Sequence, residues 1–336
     1  MKLSILDQSP IRNGGTPHQA LQETIQLAQI AESLGYHRFW VSEHHNTNTL
    51  AGTAPEVLLA ALGAATKTIR LGSGGVMLPH YSAFKVAEAF SVLATLYPER
   101  IDLGIGRAPG SDMETARVLA TDGRPKFERF PQLVEELLTM LNDPSFRPKV
   151  MPRPPQPPPV WMLGSSPDSA ILAGRLGLPY NFALFINNKM SPQILDYYRQ
   201  QFYPSDYREK PYTCLTVNVV CAETEEQAYR LSLSRSLGFL KFVTKQKVAG
   251  IPTVEEAENY PYNEQELAFM RDRAQNAAIG TPEQVKEQLL ALVDLYHPDE
   301  LMTVTVTYDF ADRVRSYEML AEVFGLEGKT AVSETA

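Results

Sequence analysis

Short apolar runs alternate along the chain with longer segments in which apolar residues recur every three to four positions. The run at residues 39–41 (Phe-Trp-Val) is typical of a strand that is buried on both faces. Thr16, Pro17 and Gln19 form the capping pattern that predicts a helix start. By these criteria we predict eight strands, each followed by helical sequence, at residues 3–6, 38–42, 69–72, 101–104, 160–163, 181–185, 213–220 and 300–308.

Eight strand–helix units in a row predict an α/β fold, a (β/α)8 barrel with parallel strands inside and helices outside. A doubly wound sheet is the alternative. The glycine-rich run at residues 104–108 argues against it, because Pro109 stands where the third glycine of a dinucleotide-binding fingerprint belongs. We predict one domain at residues 1–328, with an insertion after the seventh strand, and a disordered tail at 329–336.

Residues 147–159 contain seven prolines, which exclude a helix or an inner strand there. The composition favours an extended polyproline conformation, so we predict a stiff surface connection into the fifth strand. A ligand for a proline-recognising partner is the alternative.

Composition limits the partners and the location of the protein. The 336 residues are 44% hydrophobic, as expected for a large core, and the net charge of −8 argues against nucleic acid or an anionic membrane as a partner. Cys214 and Cys221 match no metal or disulfide spacing, which is typical of a reducing cytoplasm. Because the amino terminus lacks the apolar run of a signal peptide, we predict a cytoplasmic location.

The second predicted strand ends in five polar side chains: Ser42, Glu43, His44, His45 and Asn46. Titratable groups at the carboxyl end of a buried strand lie where α/β proteins place their chemistry, and burying them without partners is costly. We therefore predict a catalytic cluster here. The alternative is that one histidine caps a turn and the other is solvated. A metal site is not expected, because adjacent histidines rarely reach one ion and no further ligand motif occurs.

Arg107 follows the fourth predicted strand and lies among glycines and a proline. The backbone can approach a ligand closely there, and a guanidinium fork suits a phosphate better than an ammonium does. An ion pair with Asp112 or Glu114 is the alternative. No Gly-x-x-x-x-Gly-Lys pattern occurs, so a nucleoside triphosphate is not implied.

Two glycine-containing loops add to this prediction. Gly164, Ser165 and Ser166 offer hydroxyls and free amides at a helix start, which favours an anion site over plain N-capping once Arg107 is on the neighbouring loop. Gly74 and Gly75 follow the third strand. They form either a flexible turn or a backbone that lies flat against a planar ligand, where any side chain would collide.

Five sequence segments together resemble the bacterial luciferase-like monooxygenases, and most closely the single-subunit flavin-dependent oxidoreductases of that family. The segments are EHHN at 43–46, LGSGGVMLPH at 71–80, RIDLGIGRAPG at 100–110, WMLGSS at 161–166 and GTPE at 280–283. The resemblance covers nearly the whole chain. The fold of that family is a TIM barrel, which agrees with the pattern of strands and helices.

The resemblance implies that reduced FMN binds with its phosphate on Arg107 and the loop of Gly164, Ser165 and Ser166. It places the flavin ring against Gly74 and Gly75, which in luciferase correspond to a non-proline cis peptide. His44 corresponds to the catalytic base of luciferase, with Glu43 or His45 to orient it. The reactive cysteine of luciferase corresponds to Gly106 in this sequence, so light emission is not expected.

The reaction implied is oxygenation of a small organic substrate by reduced FMN and O2 through a C4a-hydroperoxyflavin. A separate flavin reductase would supply the reduced flavin, and we expect a homodimer. Two alternatives are an F420-dependent hydride-transfer enzyme and a non-catalytic flavin-binding protein.

Residues 244–278 interrupt the alternation and are too long for an ordinary connection in a barrel. We interpret this segment as a lid over the substrate side of the flavin. Tyr260 and Tyr262 would cover the site, and Lys245 and Lys247 could meet ligand oxygens. A surface insertion that only shields a helix is the alternative.

Overall fold

The computed structural model describes residues 1–187 and 191–328, so the tail at 329–336 lies outside the described residues. The strands in the described part are β1 (Lys2–Asp7), β2 (Arg38–Val41), β3 (Arg70–Ser73), β4 (Val76–Met77), β5 (Ile101–Gly106), β6 (Val160–Gly164), β7 (Tyr180–Ala183), β8 (Thr213–Cys221), β9 (Ala278–Gly280) and β10 (Glu300–Val304).

All of these strands except β4 and β9 form one closed parallel barrel. β1 pairs with β2 and with β10, and the ring continues through β3, β5, β6 and β7 to β8, which pairs with β10. The predicted (β/α)8 barrel is therefore confirmed, and the doubly wound sheet is wrong. β4 pairs with the carboxyl end of β5, and β9 pairs with the carboxyl end of β8.

Helices surround the barrel, and several begin where capping residues predict. Thr16 forms the predicted capping box with Gln19, and Thr281 forms the same kind of box with Gln284. The α-helices among the described residues are α1 (Pro17–Ser33), α2 (Pro55–Ala65), α3 (Ala83–Leu96), α4 (Met113–Leu119), α5 (Phe130–Asn142), α6 (Pro167–Arg175), α7 (Gln193–Gln200), α8 (Glu225–Val243), α9 (Val254–Glu258), α10 (Glu264–Ala274), α11 (Pro282–Tyr296) and α12 (Phe310–Phe324).

For two strands, the predicted end lies further along the chain than the observed end. β7 stops at Ala183, because the chain turns there and the Ile186 amide donates to the Ala183 carbonyl. β10 stops at Val304, because the next amide, that of Thr305, donates to the Tyr317 hydroxyl at 3.0 Å instead of to a strand. The proline-rich segment 147–159 contains neither helix nor strand, as predicted.

The amino-terminal half of the barrel interior is filled by a charged network. Arg38 contacts Asp102 at 2.5 Å and Glu300 at 2.7 Å, and Arg70 contacts Asp102 at 2.6 Å. Both carboxylates are fully buried, and each is paired, as buried charges must be. Trp161 lies against the Arg38 guanidinium at 4.7 Å. This end of the barrel is closed by its own side chains, which leaves the carboxyl-terminal end for a ligand.

Gly104 and Gly106 on β5 form a matched pair for a stability test. A Cβ atom on Gly104 would overlap the Ser73 carbonyl oxygen, whereas the nearest atom to one on Gly106 is Met77 Cε at 3.7 Å. We expect Gly104→Ala to lower the free energy of unfolding by about 3 kcal/mol, because backbone must move apart. Gly106→Ala should change it by less than about 0.5 kcal/mol. Urea denaturation of both variants measures the difference, and equal losses would contradict this packing.

Candidate functional site

The predicted site residues follow four strands that are neighbours in the barrel: β2, β3, β5 and β6. Val41 pairs with Ser73, and Ile105 pairs with Met162, so the loops after these strands begin side by side. The His45 amide also donates to the Gly110 carbonyl at 2.9 Å, which joins the loop after β2 to the loop after β5. The barrel therefore brings the predicted site loops to one rim, as the sequence predicts.

The Gly74–Gly75 peptide bond is cis, which confirms the prediction for this bond. A Cβ atom on Gly74 would lie 2.5 Å from Leu6 Cδ1, and one on Gly75 would lie 2.8 Å from the Gly104 carbonyl oxygen. Packing of the barrel therefore demands glycine at Gly75, where backbone would have to move, whereas at Gly74 only the end of the Leu6 side chain would have to shift. A planar ligand against this backbone stays a prediction.

Glu43 is buried, and its carboxylate is held by three donors. It accepts hydrogen bonds from the Tyr81 hydroxyl at 2.7 Å and the Met77 amide at 3.0 Å, and it pairs with His45 Nε2 at 2.8 Å. Burial and, second, the Glu43 charge raise the pKa of Tyr81 well above its usual value, so this hydroxyl stays a donor. Glu43 therefore orients His45 and the loop after β3, and it makes no direct hydrogen bond to His44.

The hydrogen-bond partner of His44 is Ser42, whose Oγ lies 3.0 Å from Nδ1. Among residues 1–187 and 191–328, no group hydrogen bonds to Nε2 of His44. Burial lowers the pKa of His44 to about 4, with a smaller lowering from His45, while Glu43 opposes the shift. The imidazole is therefore neutral at pH 7, with one ring nitrogen positioned by Ser42 and the other available to a ligand.

Arg107 is exposed, and in the described part of the chain no carboxylate lies within 4 Å of its guanidinium. The expected competitor Asp112 is used elsewhere, since it caps α4 through the Thr115 amide at 2.9 Å and accepts from Asn46 Nδ2 at 2.9 Å. The structural ion pair considered for Arg107 is therefore not formed. Its donors form no side-chain hydrogen bond to another described residue, so they can bind an anion.

Ser166 is the N-cap residue of α6, yet its side chain accepts no capping hydrogen bond from the helix. The Ser165 carbonyl accepts from Asn187 Nδ2 at 3.1 Å, and the Ser166 carbonyl accepts from Ser169 Oγ at 2.7 Å. These contacts position the loop and leave the Ser166 hydroxyl unused for capping. Plain N-capping is therefore wrong as an explanation of this serine. The loop that begins α6 follows β6, next to the strand that Arg107 follows.

The segment 244–278 crosses the carboxyl-terminal end of the barrel at Ile251. The Ile251 amide donates to the Ile11 carbonyl at 2.7 Å, and its carbonyl accepts from the Asn13 amide at 2.8 Å. Its side chain is only 6% exposed and packs in the barrel-interior cluster that includes Trp40 and Val304. This part of the segment covers the barrel, as a lid would.

Tyr260 and Tyr262 do not supply that cover, which corrects the prediction for these two residues. They pack against α8 in a cluster around Leu237 and Leu240. Their ring centroids are 4.7 Å apart, so they stabilise the return of the segment along α8. The sequence pattern indicates that these tyrosines pack on an apolar surface, but it does not indicate whether that surface is the barrel mouth or the apolar face of α8. Lys245 and Lys247 are exposed.

A cavity of about 240 Å³ adjoins the carboxyl-terminal ends of β8 and β10. It is lined by residues that sequence reasoning missed, notably Asn218, Arg235 and Arg273. Arg235 lies at helical spacing from Leu231 and Gly238, both buried on the inner face of α8. A charged residue on the apolar side of an amphipathic helix is the signal that could have identified it.

No helix of the described residues is both long and apolar enough to cross a membrane. Cys214 and Cys221 are free and buried. Within the described ranges, no group of three histidine, cysteine or acidic side chains could hold a metal ion.

The family model for luciferase-like monooxygenases matches residues 1–297. YwcH of Bacillus subtilis (strain 168) is 44% identical over 96% of this chain and 99% of its own. An N-acetyl-S-alkylcysteine monooxygenase of the same organism is 38% identical over 96% of this chain and 98% of its own. The solved structure of apo-MsnO8 is 40% identical, has a TM-score of 0.91, and covers 97% of this chain and 98% of its own. The chain therefore belongs to the luciferase-like monooxygenase family.

Proposed function

We propose that the protein is an FMN-dependent monooxygenase that uses reduced FMN and O2 to oxygenate a small organic substrate. The proposal is carried by one observation. Arg107, which is exposed and has no ion pair with a described residue, and the unused cap residue Ser166 follow neighbouring strands on the rim that also holds His44. A dianionic phosphate suits a guanidinium fork and a helix N-terminus together. Family membership as a luciferase-like monooxygenase supports the oxygenase chemistry.

The residues present fit FMN. Arg107 and the loop of Gly164, Ser165 and Ser166 would hold its phosphate, and the backbone of Gly74 and Gly75 would lie beside its ring. When bound in its reduced form, FMN supplies the two electrons that activate O2, so that one oxygen atom enters the substrate and the other leaves as water. A separate reductase would deliver the reduced flavin.

The protein's own side chains would move and hold protons and exclude water. His44, neutral at pH 7, would donate or accept a proton at Nε2, while Ser42 fixes Nδ1. Glu43 and His45 would keep the loop after β2 against the loops after β3 and β5 through their shared hydrogen bonds. Ile251 would keep bulk water from the barrel mouth.

Turnover with ¹⁸O2 tests the proposal directly. The substrate probe is N-acetyl-S-ethyl-L-cysteine, chosen because a 38% identical relative is named an N-acetyl-S-alkylcysteine monooxygenase. Reduced FMN is supplied by an added flavin reductase and its nicotinamide. We expect one ¹⁸O atom in the product and no product without the reductase. FMN that fails to bind, or oxygen that is consumed without any labelled product, would contradict the proposal.

Flavin titration tests the phosphate site. Arg107→Ala should weaken FMN binding about ten- to a hundredfold, because it removes a charge-assisted contact worth roughly 1.5–3 kcal/mol. Riboflavin lacks the phosphate and should bind the variant and the wild type equally. Arg117→Ala is the matched control, since Arg117 is also exposed and lies in the following helix. An FMN dissociation constant that is unchanged in Arg107→Ala would move the phosphate elsewhere.

A further inference from the structure

The cavity at the ends of β8 and β10 is bounded on its other side by α8 and α10. Most of its lining is apolar, with Phe239, Met270 and Val304 among the contributing side chains. Three arginines line it, Arg235 from α8 and both Arg271 and Arg273 from α10. Arg271 is exposed, whereas Arg235 and Arg273 are partly buried. An apolar cavity with a few convergent polar groups is the usual form of a small-molecule site.

Neither Arg235 nor Arg273 forms an ion pair within the described residues, although the charge of the neighbouring Asp272 acts on Arg273. Among residues 1–187 and 191–328, no carboxylate lies within 4 Å of Arg235 or Arg273, and no hydrogen bond from Arg235 is formed. The two fully buried arginines differ from these, since Arg38 contacts Asp102 and Glu300, and Arg313 contacts Asp7 at 3.1 Å. Arg235 and Arg273 are partly buried, so an anion bound between them would accept charge-assisted hydrogen bonds from partly desolvated donors.

Two contacts hold the Arg273 guanidinium in place without using all of its N–H donors. It donates to the Phe185 carbonyl at 2.8 Å, and its guanidinium lies 3.9 Å from the centre of the Phe239 ring. Burial and, second, the charge of Arg273 lower the pKa of Arg235 to about 10, so Arg235 is still cationic at neutral pH. The two guanidinium groups therefore present a positively charged wall to the cavity.

A further polar group lies at the barrel end of the cavity. The side-chain oxygen of Asn218 is buried and has no hydrogen-bond partner in the described residues. Asn218 pairs in register with Val304, which places it at the carboxyl end of the barrel. A ligand that reaches from the arginines to Asn218 would enter the barrel mouth.

The position of the cavity separates it from the phosphate site proposed above. In the ring of eight strands, Arg107 and Ser166 follow β5 and β6, whereas the cavity adjoins β8 and β10, two strands further round. The flavin phosphate and an anion in the cavity would therefore occupy different sectors of the rim.

We propose that this cavity binds the substrate through a carboxylate held by Arg235 and Arg273, with the apolar part of the substrate packed on the cavity wall. This inference rests on the proposed monooxygenase function and specifies its substrate class as small carboxylic acids. A planar carboxylate matches the guanidinium fork, and the cavity volume suits a molecule of that size.

Calorimetric titration of the FMN-loaded enzyme tests the inference without turnover. The probes are N-acetyl-S-ethyl-L-cysteine and its neutral carboxamide. We expect wild type to bind the acid at least about tenfold more tightly than the amide, because the amide cannot form the charge-assisted contact. Arg235→Gln should abolish that preference. Arg230→Gln, on the exposed face of the same helix, should keep it. Thermal unfolding checks that both variants are folded.

Three outcomes would overturn the inference. They are equal affinity of wild type for acid and amide, no binding of either probe, and a preference that survives in Arg235→Gln. Arg235→Gln should leave the FMN dissociation constant unchanged. If this variant binds FMN more weakly than wild type but binds riboflavin equally well, the arginines hold the flavin phosphate instead. The monooxygenase proposal can fail separately. In that case the enzyme would still bind the acid more tightly than the amide but would form no ¹⁸O-labelled product.

Discussion

Replacing His44 with asparagine is expected to lower the rate of substrate oxygenation by about 10²- to 10⁴-fold, the usual worth of a positioned acid or base. Asparagine can keep a hydrogen bond to Ser42, which in the wild type lies 3.0 Å from His44 Nδ1, but it has no group at the position of Nε2. FMN binding should be unchanged, because the proposed phosphate contacts lie on other loops. Stopped reactions with the ethylcysteine probe measure product formation directly.

The matched control for this prediction is His18→Asn, since His18 is exposed on α1. It should have the wild-type rate. A His44→Asn enzyme within about threefold of wild type would remove His44 from the proton transfers, given the magnitude expected for such a group.

The pH dependence follows from the environment of His44. Burial lowers its pKa from 6.5 to about 4, so the imidazole is neutral from about pH 5 upward. A rate that needs neutral His44 should therefore be flat between about pH 5 and 8 and should fall only as the pH drops towards 4. A histidine with its ordinary pKa would cause the fall already near pH 6. A pH profile of product formation separates the two cases.

The second large effect is expected from the segment that crosses the barrel mouth. Replacing residues 250–262 with a short glycine–serine linker removes Ile251 from the barrel-interior cluster and admits water. FMN should still bind, but product formed per O2 consumed should fall about tenfold, and hydrogen peroxide should rise to match. Parallel assays of oxygen, peroxide and product measure this coupling.

Two single substitutions refine that test. Ile251→Ala should reproduce part of the uncoupling, because this side chain is the one packed over the barrel interior. Tyr262→Phe should not, since Tyr262 packs against α8 and its hydroxyl has no partner among the described residues. Wild-type coupling in the linker variant would mean that the segment is a surface insertion and not a lid.

Local patterns in the sequence were enough to predict the barrel. Capping residues such as Thr16 and Thr281 fix where helices begin through contacts only three residues long. Apolar runs such as 39–41 fix where strands lie. Because parallel strands end at one rim, the same patterns also predicted that Glu43, Arg107 and Ser166 would belong to neighbouring loops. Gly74 and Gly75 were identified as a glycine pair after the third strand, and the structure shows the barrel packing that requires glycine at Gly75.

What the sequence could not determine is which partner each polar or aromatic group selects. Glu43 pairs with His45 and Tyr81 instead of His44, Arg107 has no ion pair in the described part, and Tyr260 packs against α8. Arg235 contributes to a cavity whose other walls lie on β8, β10 and α10. Several partners were compatible with each local pattern. The choice depends on distances between segments far apart in the chain, and those distances exist only once the barrel has closed and the segment at 244–278 has packed across it.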